Sequence, residues 1–288
     1  MKKIVEIKKL SKNYGKVKAV KNLSLDLYEG EIFGFIGPNG AGKSTTIRCI
    51  MNLLNKTEGK VLIDNKEFKK NDIEIQKNIG YLPSEINLYE EYTVGEMLDF
   101  HETFYDNVHD NRKKLVKKLN LDETKKIEDL SFGNLKKVGI ILALMHEPKI
   151  LILDEATSGL DPIMQNIFFE LLKEEKKKGT TIFYSTHILN EVSKICDRVG
   201  IIKEGKLIKI ENVNEIKNKH LTNITIESED VEEIKKDLNI DAEISENKMS
   251  FKNELDSNEL LKKLTKYNIK KILIEEPSLE DIFYHYYK

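Results

Sequence analysis

The chain has 288 residues, 40% of them hydrophobic, with a formal net charge of −2, enough for about two domains with buried cores. Residues 212–288 carry 12 Lys+Arg against 17 Asp+Glu, or −5, leaving +3 for residues 1–211, so neither part is basic enough to indicate a nucleic-acid partner. The longest near-continuous apolar run, Val138 to Met145, falls far short of the roughly 20 residues that a membrane-spanning helix needs.

The N-terminal "MKKIVEIKKL" alternates apolar and charged residues from Ile4 onward, which suits a strand. It lacks the apolar stretch of a secretory signal, so the chain is expected in the cytosol. Strands over 3–9, 20–27 and 31–36 lead into a glycine-rich turn and a helix from about Lys43 to Leu54. Cys49 in that helix and Cys196 far downstream read as two buried thiols rather than a disulfide or metal site. "TVGE" at 93–96 has the form of a capping box opening a helix toward Asn107, and a second helix follows over 110–119. Residues 86–146 are thus mostly helical. Alternation then returns as strand 149–154, helix 162–178, strand 180–185 and helix 188–197, which predicts parallel strands wrapped by helices. The lysine-rich "KEEKKKG" at 173–179 reads as the solvated end of a helix stopped by Gly179. After Asn212 the composition becomes polar, and a βαββαβ order over 223–275 predicts a small α+β domain of ferredoxin-like type.

Three segments carry chemistry. "GPNGAGKST", Gly37 to Thr45, matches G-x-x-x-x-G-K-[ST] between the apolar strand "IFGFI" and a helix. Gly37, Pro38, Asn39, Gly40, Ala41, Gly42, Lys43, Ser44 and Thr45 are the nucleotide-binding candidates, the glycines letting successive backbone N–H groups turn inward on an anion. Lys43 reaches the β and γ phosphates, Ser44 ligates Mg²⁺, and Thr45 completes the helix start. This pattern predicts a nucleoside triphosphate site. "ILILDE", Ile150 to Glu155, reads as a buried strand delivering two acids to that site, with Asp154 for the Mg²⁺ shell and Glu155 to orient or deprotonate a water. His187, after "TIFYST", is placed to hydrogen-bond the γ phosphate if its strand neighbours that of Asp154. "LSFGN", 130–134, opens a helix with Ser131 as a plausible N-cap and lacks a phosphate-gripping lysine of its own.

The order "GPNGAGKST", "LSFGN", "ILILDE", "SGLD" and "STH" resembles the nucleotide-binding subunit of ABC transporters over about residues 2–211. The resemblance implies a P-loop NTPase fold of ABC type, α/β with a helical subdomain at about 86–146, followed by an accessory or regulatory domain at 212–288. It implies ATP and Mg²⁺ as ligands and catalysis by Glu155, His187 and Lys43. In the family's head-to-tail dimers, each ATP lies between the glycine loop of one subunit and the signature loop of the other. Ser131, Phe132, Gly133 and Asn134 would then hold the partner's phosphate, and Asp161 of "SGLD" would lie at the dimer interface, although the residues themselves show only an N-cap before Pro162. Tyr14 of "LSKNYG" would stack on adenine; a plain sheet tyrosine is the other reading.

Two motifs depart from the family pattern. Phe132 and Asn134 replace a glycine and the glutamine of the usual LSGGQ. Ser84 stands after "YLP", where the family places a glutamine for Mg²⁺ and the attacking water, with Glu85 next; a hydroxyl or carboxylate oxygen of either suits a hard cation. The tail "EPSLEDIFYHYY", 276–287, resembles ATP-binding subunits of antibiotic-resistance and multidrug exporters, and equally forms an amphipathic closing helix. The resemblance therefore implies an ATPase subunit on the inner face of the cell membrane. It would dimerise with a second ATP-binding subunit, expected to be identical, and drive a separate permease exporting a drug, antibiotic, peptide or lipid-like solute. The alternatives are a soluble ABC-type ATPase of translation or DNA repair, and a nucleotide-regulated binding module with negligible turnover.

Overall fold

The computed structural model describes residues 2–106, 108–215, 222–253 and 257–275. The chain divides into two compact units, Met1–Val213 and Asn214–Lys288.

The first unit contains two sheets. One is antiparallel, in the order β2-β1-β4-β5, from β1 (Lys3–Tyr14), β2 (Val17–Tyr28), β4 (Glu58–Ile63) and β5 (Lys66–Glu67). The other runs β10-β9-β3-β8-β7-β6. In it β3 (Ile32–Ile36), β6 (Ile79–Leu82), β7 (Ile150–Asp154), β8 (Thr181–Thr186) and β9 (Arg198–Lys203) are parallel, and β10 (Lys206–Asn212) is an antiparallel edge. Every residue of β3, β7 and β8 is buried, as strands covered on both faces must be. The parallel sheet, the antiparallel sheet and α1 (Lys43–Ile50) share one core, in which Phe183 lies 6.0 Å from Phe33 and 5.2 Å from Phe35 between ring centroids.

Against the opposite face lie α6 (Pro162–Lys177) and α7 (Leu189–Ile195). Gly34 permits the close approach of α7, since a Cβ there would lie 3.0 Å from Cys196 Sγ and 3.3 Å from Val192. Both cysteines are buried and free, as expected, and burial pushes both thiols up. The helical region holds α3 (Val94–Glu102), α4 (His109–Leu119) and α5 (Phe132–Leu144). Thr93 and Glu96 form the full capping box. Buried Arg112 knits the region together, donating to Asp99 and Glu123, each at 2.5 Å. Here α5 sits directly on β6, where a Cβ on Gly80 would lie 2.0 Å from Ala143 O.

Several elements differ from the sequence reading. The first helix ends at Ile50 rather than near Leu54, with Asn52 in the left-handed region at φ 53°. Pattern reading also passes over β4, β5, β6, β9 and β10. Two of these connections are tight turns of residues with positive φ, Asp64-Asn65 and Glu204-Gly205, the geometry that matches strand twist in a hairpin.

The second unit has the expected order: β11 (Thr222–Ser228), α8 (Val231–Leu238), β12 (Ala242–Ser245), β13 (Lys248–Asn253), α9 (Ser257–Leu264) and β14 (Ile269–Glu275). Its sheet runs β12-β13-β11-β14, antiparallel at every pair. The core forms from one sheet face and the apolar stripes of both helices, including Ile224, Ile226, Met249, Ile234 and Leu260. The closing helix expected at 276–287 lies outside the described residues.

Candidate nucleotide site

The glycine loop leaves the buried end of β3 and enters α1 at Lys43. Two glycines are fixed by space. A Cβ on Gly37 would stand 2.4 Å from Ile202 O, and one on Gly42 2.5 Å from Ala19 O, with Gly42 also at φ 105°. Lys43 is 4% exposed, and its Nζ donates to Gly37 O at 2.8 Å and Pro38 O at 3.2 Å. The ammonium is thereby held beneath the loop whose backbone N–H groups face the helix N-terminus, the arrangement that binds phosphate.

Asp154 ends β7 with 0% exposure, and neither carboxylate oxygen has a hydrogen bond of good geometry, nor does Ser185 Oγ beside it. Burial pushes the carboxyl up, while the nearby hydroxyls of Ser44 and Ser185 and the charge of Lys43 oppose that shift. A buried carboxylate with free oxygens next to the Ser44 hydroxyl is a donor set that fits a hard divalent cation. Among the described residues no group of three His, Cys, Asp or Glu side chains could hold a metal, so phosphate and water oxygens would complete such a shell.

Glu155 takes φ 49°, a left-handed conformation rare outside glycine that costs about 1 kcal/mol. Its N–H donates to Ser185 O at 3.0 Å. This kink turns its carboxylate away from that of Asp154 and toward two cationic or ionisable neighbours. Oε1 lies 3.5 Å from Lys43 Nζ and 3.3 Å from His187 Nδ1. The three residues expected to perform the chemistry therefore converge on one oxygen atom.

A cleft of about 470 Å³ opens over them, lined by the glycine loop from Asn39 to Thr45 together with Ser84, Glu85, Glu155, Ser158 and Phe132. Ser84 and Phe132, one from each motif that departs from the family pattern, thus border the same space. Tyr14, at the end of β1, is 48% exposed with Lys12 Nζ 4.9 Å from its ring centroid, and stands apart from this lining.

The comparisons with known proteins follow this geometry. The ABC transporter family model matches residues 20–158, and a model of the C-terminal domain of ATP-binding proteins like DrrA1-3 matches residues 212–287. An uncharacterized ABC transporter ATP-binding protein of Bacillus subtilis, YhaQ, is 35% identical, with 97% of each chain covered. The chain belongs to the ABC transporter ATP-binding proteins. The linearmycin resistance ATP-binding protein LnrL of Bacillus subtilis is 38% identical over 72% of this chain and 68% of its own. A solved dimeric ATP-binding cassette in a post-hydrolysis state, bound to ADP and Pi, superposes with a TM-score of 0.67 at 28% identity, covering 73% of this chain and 99% of that one.

The protein is accordingly an ABC-type ATPase, and its remaining site residues can be placed. Ser131 is the N-cap of α5, its Oγ accepting from Asn134 N at 3.4 Å. Asp161 caps α6, accepting from Ile163 N at 2.9 Å and Met164 N at 3.0 Å. The "LSFGN" and "SGLD" loops touch through glycines: a Cβ on Gly133 would lie 2.8 Å from Gly159 O, and one on Gly159 would lie 2.1 Å from the Phe132 ring.

Sequence reading missed Glu191. This α7 carboxylate is buried and accepts from Thr157 Oγ1 at 2.5 Å, Tyr184 OH at 2.8 Å and Thr186 Oγ1 at 2.5 Å. It thereby holds the start of the "SGLD" loop and the residue before His187 in one network. The only hint in the sequence is its position one helical turn after His187.

Proposed function

We propose that this ABC cassette powers a separate membrane permease, exporting a drug, antibiotic, peptide or lipid-like solute. The observation that carries the enzymatic half is the convergence of Lys43, Glu155 and His187 at 3.3–3.5 Å. Relatedness to the linearmycin resistance protein and the family of the tail domain support export. No helix among the described residues is long and apolar enough to cross a membrane, so in this reading the transport pathway belongs to another polypeptide, and the cassette sits at the inner membrane face through it.

In the proposed cycle two copies close head to tail over two ATP molecules. Lys43 and the loop N–H groups bind the β and γ phosphates, and Tyr14 stacks on adenine. Ser44 and Asp154, with Ser84 or Glu85, would hold Mg²⁺, which neutralises phosphate charge when bound. Glu155 accepts the proton of the attacking water, and His187, held by Glu155, contacts the γ phosphate and so registers its presence. Ser131, Gly133 and the first N–H groups of α5 grip the partner's phosphate, with Asp161 beside the interface. Closure is favoured only while triphosphate bridges both loops, because both contact sets exist only in the closed form.

Fractionation with and without the permease tests the transport half. Co-expression with the neighbouring permease should move the cassette to the membrane fraction and make its ATPase respond to transported solute. Stable co-purification with ribosomes or DNA, with no membrane association, would favour the translation or repair reading instead.

A further inference from the structure

Lys136 is a buried charge beside the nucleotide cleft that the cycle above leaves unused. It lies on α5, is 1% exposed, and donates from Nζ to Ser84 O at 3.1 Å. It lies four positions after Phe132, so both side chains occupy one face of the helix. Its Nζ stands 5.9 Å from the Phe132 ring centroid, within the range at which an ammonium is attracted to an aromatic face. The Phe132 ring rests in turn on Gly159, at a point where no side chain fits. An unbroken set of contacts thus runs from the loop after β6, through an ammonium and a ring, to the "SGLD" loop. This ammonium meets Phe132 and Ser84, both departures from the family pattern.

We propose that Lys136 is a positioning residue that ties the Ser84–Glu85 loop, at the chain's own nucleotide, to the Ser131–Asn134 loop that meets the partner's nucleotide. The family glutamine works through its side chain, whereas here the backbone carbonyl of Ser84 is the anchor and Lys136 supplies the donor. Burying an ammonium is costly unless its hydrogen bonds and neighbours compensate. Burial still holds the Lys136 pKa down, while Ser84 O, the Phe132 face and the nearby negative charges of Asp154 and Glu155 offset part of that cost. A ligand that shifts the Ser84 loop therefore pulls on the first turn of α5, which carries the partner-facing residues. This inference rests on the closed-dimer reading above.

The test uses the full-length chain carrying Glu155→Gln, with and without Lys136→Met or Lys136→Arg. Methionine keeps the apolar stem and removes the charge. Lys136→Met should leave binding of a fluorescent ATP analogue to the dilute chain within about threefold. It should weaken ATP-driven dimerisation, read by sedimentation, by about tenfold, the usual size of a coupling between sites. Lys136→Arg should recover most of that loss. Hydrogen exchange should quicken in amides 84–88 while β3 and β7 stay protected. Unchanged dimerisation in Lys136→Met overturns the proposal, as does faster exchange throughout β3 and β7, which would make the residue a core support. If the Glu155→Gln chain without a Lys136 change stays monomeric with ATP, the closed-dimer reading has failed, and the coupling with it.

Discussion

In the first unit, Lys43, Lys136, Asp154 and Glu191 are buried around the carboxyl ends of the parallel strands, and Glu31, Arg112 and Glu175 are buried charges elsewhere in it. In the second, Ser228 is the one buried polar side chain among the described residues, and it simply donates to Asn268 O at 2.8 Å and accepts from Asp230 N. Burying a charge is unfavourable unless it is paired or put to use, and among the described residues the first unit buries several while the second buries none. The glycines show the same division. In the cassette, Gly37, Gly42, Gly133 and Gly159 each meet atoms that exclude a Cβ, whereas residues 222–275 of the second unit contain no glycine at all.

The largest effect that would sharpen this contrast is loss of the buried ammonium. Lys43→Ala should weaken ATP binding by two to three orders of magnitude, about 3–4 kcal/mol by calorimetry, whereas a chain ending at Val213 should keep its ATP affinity within about threefold. Loss of ATP binding by that truncated chain, still folded by circular dichroism, would break the division of labour.

Next comes Ile226→Ala, at a fully buried position of β11. It should cost the second unit about 3 kcal/mol of stability, visible as an earlier partial unfolding transition, with the ATPase rate of the isolated cassette as the unaffected reference.

Acid should add a histidine step to the unfolding of the cassette. His146 stacks on Tyr105 at 4.2 Å and is held down to about 4, first by burial and then by the neighbouring His101. The unfolded chain protonates near 6.5, so this neutral imidazole contributes stability that is complete above pH 6.5 and lost as pH falls toward 4. The loss is on the order of 2–3 kcal/mol. His146→Phe should flatten the pH dependence of cassette unfolding by about one proton over that window. Residues 222–275 of the second unit hold no histidine and add no such step.

Smallest of all, Lys270→Ala removes an exposed ion pair with Glu229 and should leave the melting temperature of the second unit unchanged within error.

What could be read from the sequence follows the same physical line. Helix caps are local, and Thr93, Ser131 and Asp161 all cap as their neighbours imply. The glycine loop and the two acids of "ILILDE" are contiguous, so spacing alone suffices to place them. Strand β6 was illegible because "IGYL" is four residues, mostly buried, with a glycine where α5 presses on it; neither alternation nor length marks it. The β9–β10 hairpin turns at Glu204, an unusual residue for positive φ. Glu191 and Lys136 read as ordinary helical surface charges. Their burial depends on Thr157, Tyr184, Thr186 and Ser84, which come from other elements and meet them only in the folded chain. Likewise, no pattern of residue types reveals the left-handed backbone of Glu155 that aims its carboxylate at Lys43 and His187.

The most direct test of the account is the mass in solution of wild type and Glu155→Gln, with and without Mg-ATP, together with phosphate release. The account predicts that Glu155→Gln loses at least about 100-fold in phosphate release yet becomes a dimer when ATP is added, because the partner loops still grip a triphosphate that is no longer cleaved. A Glu155→Gln chain that binds ATP but stays monomeric, or one that hydrolyses at the wild-type rate, would contradict it.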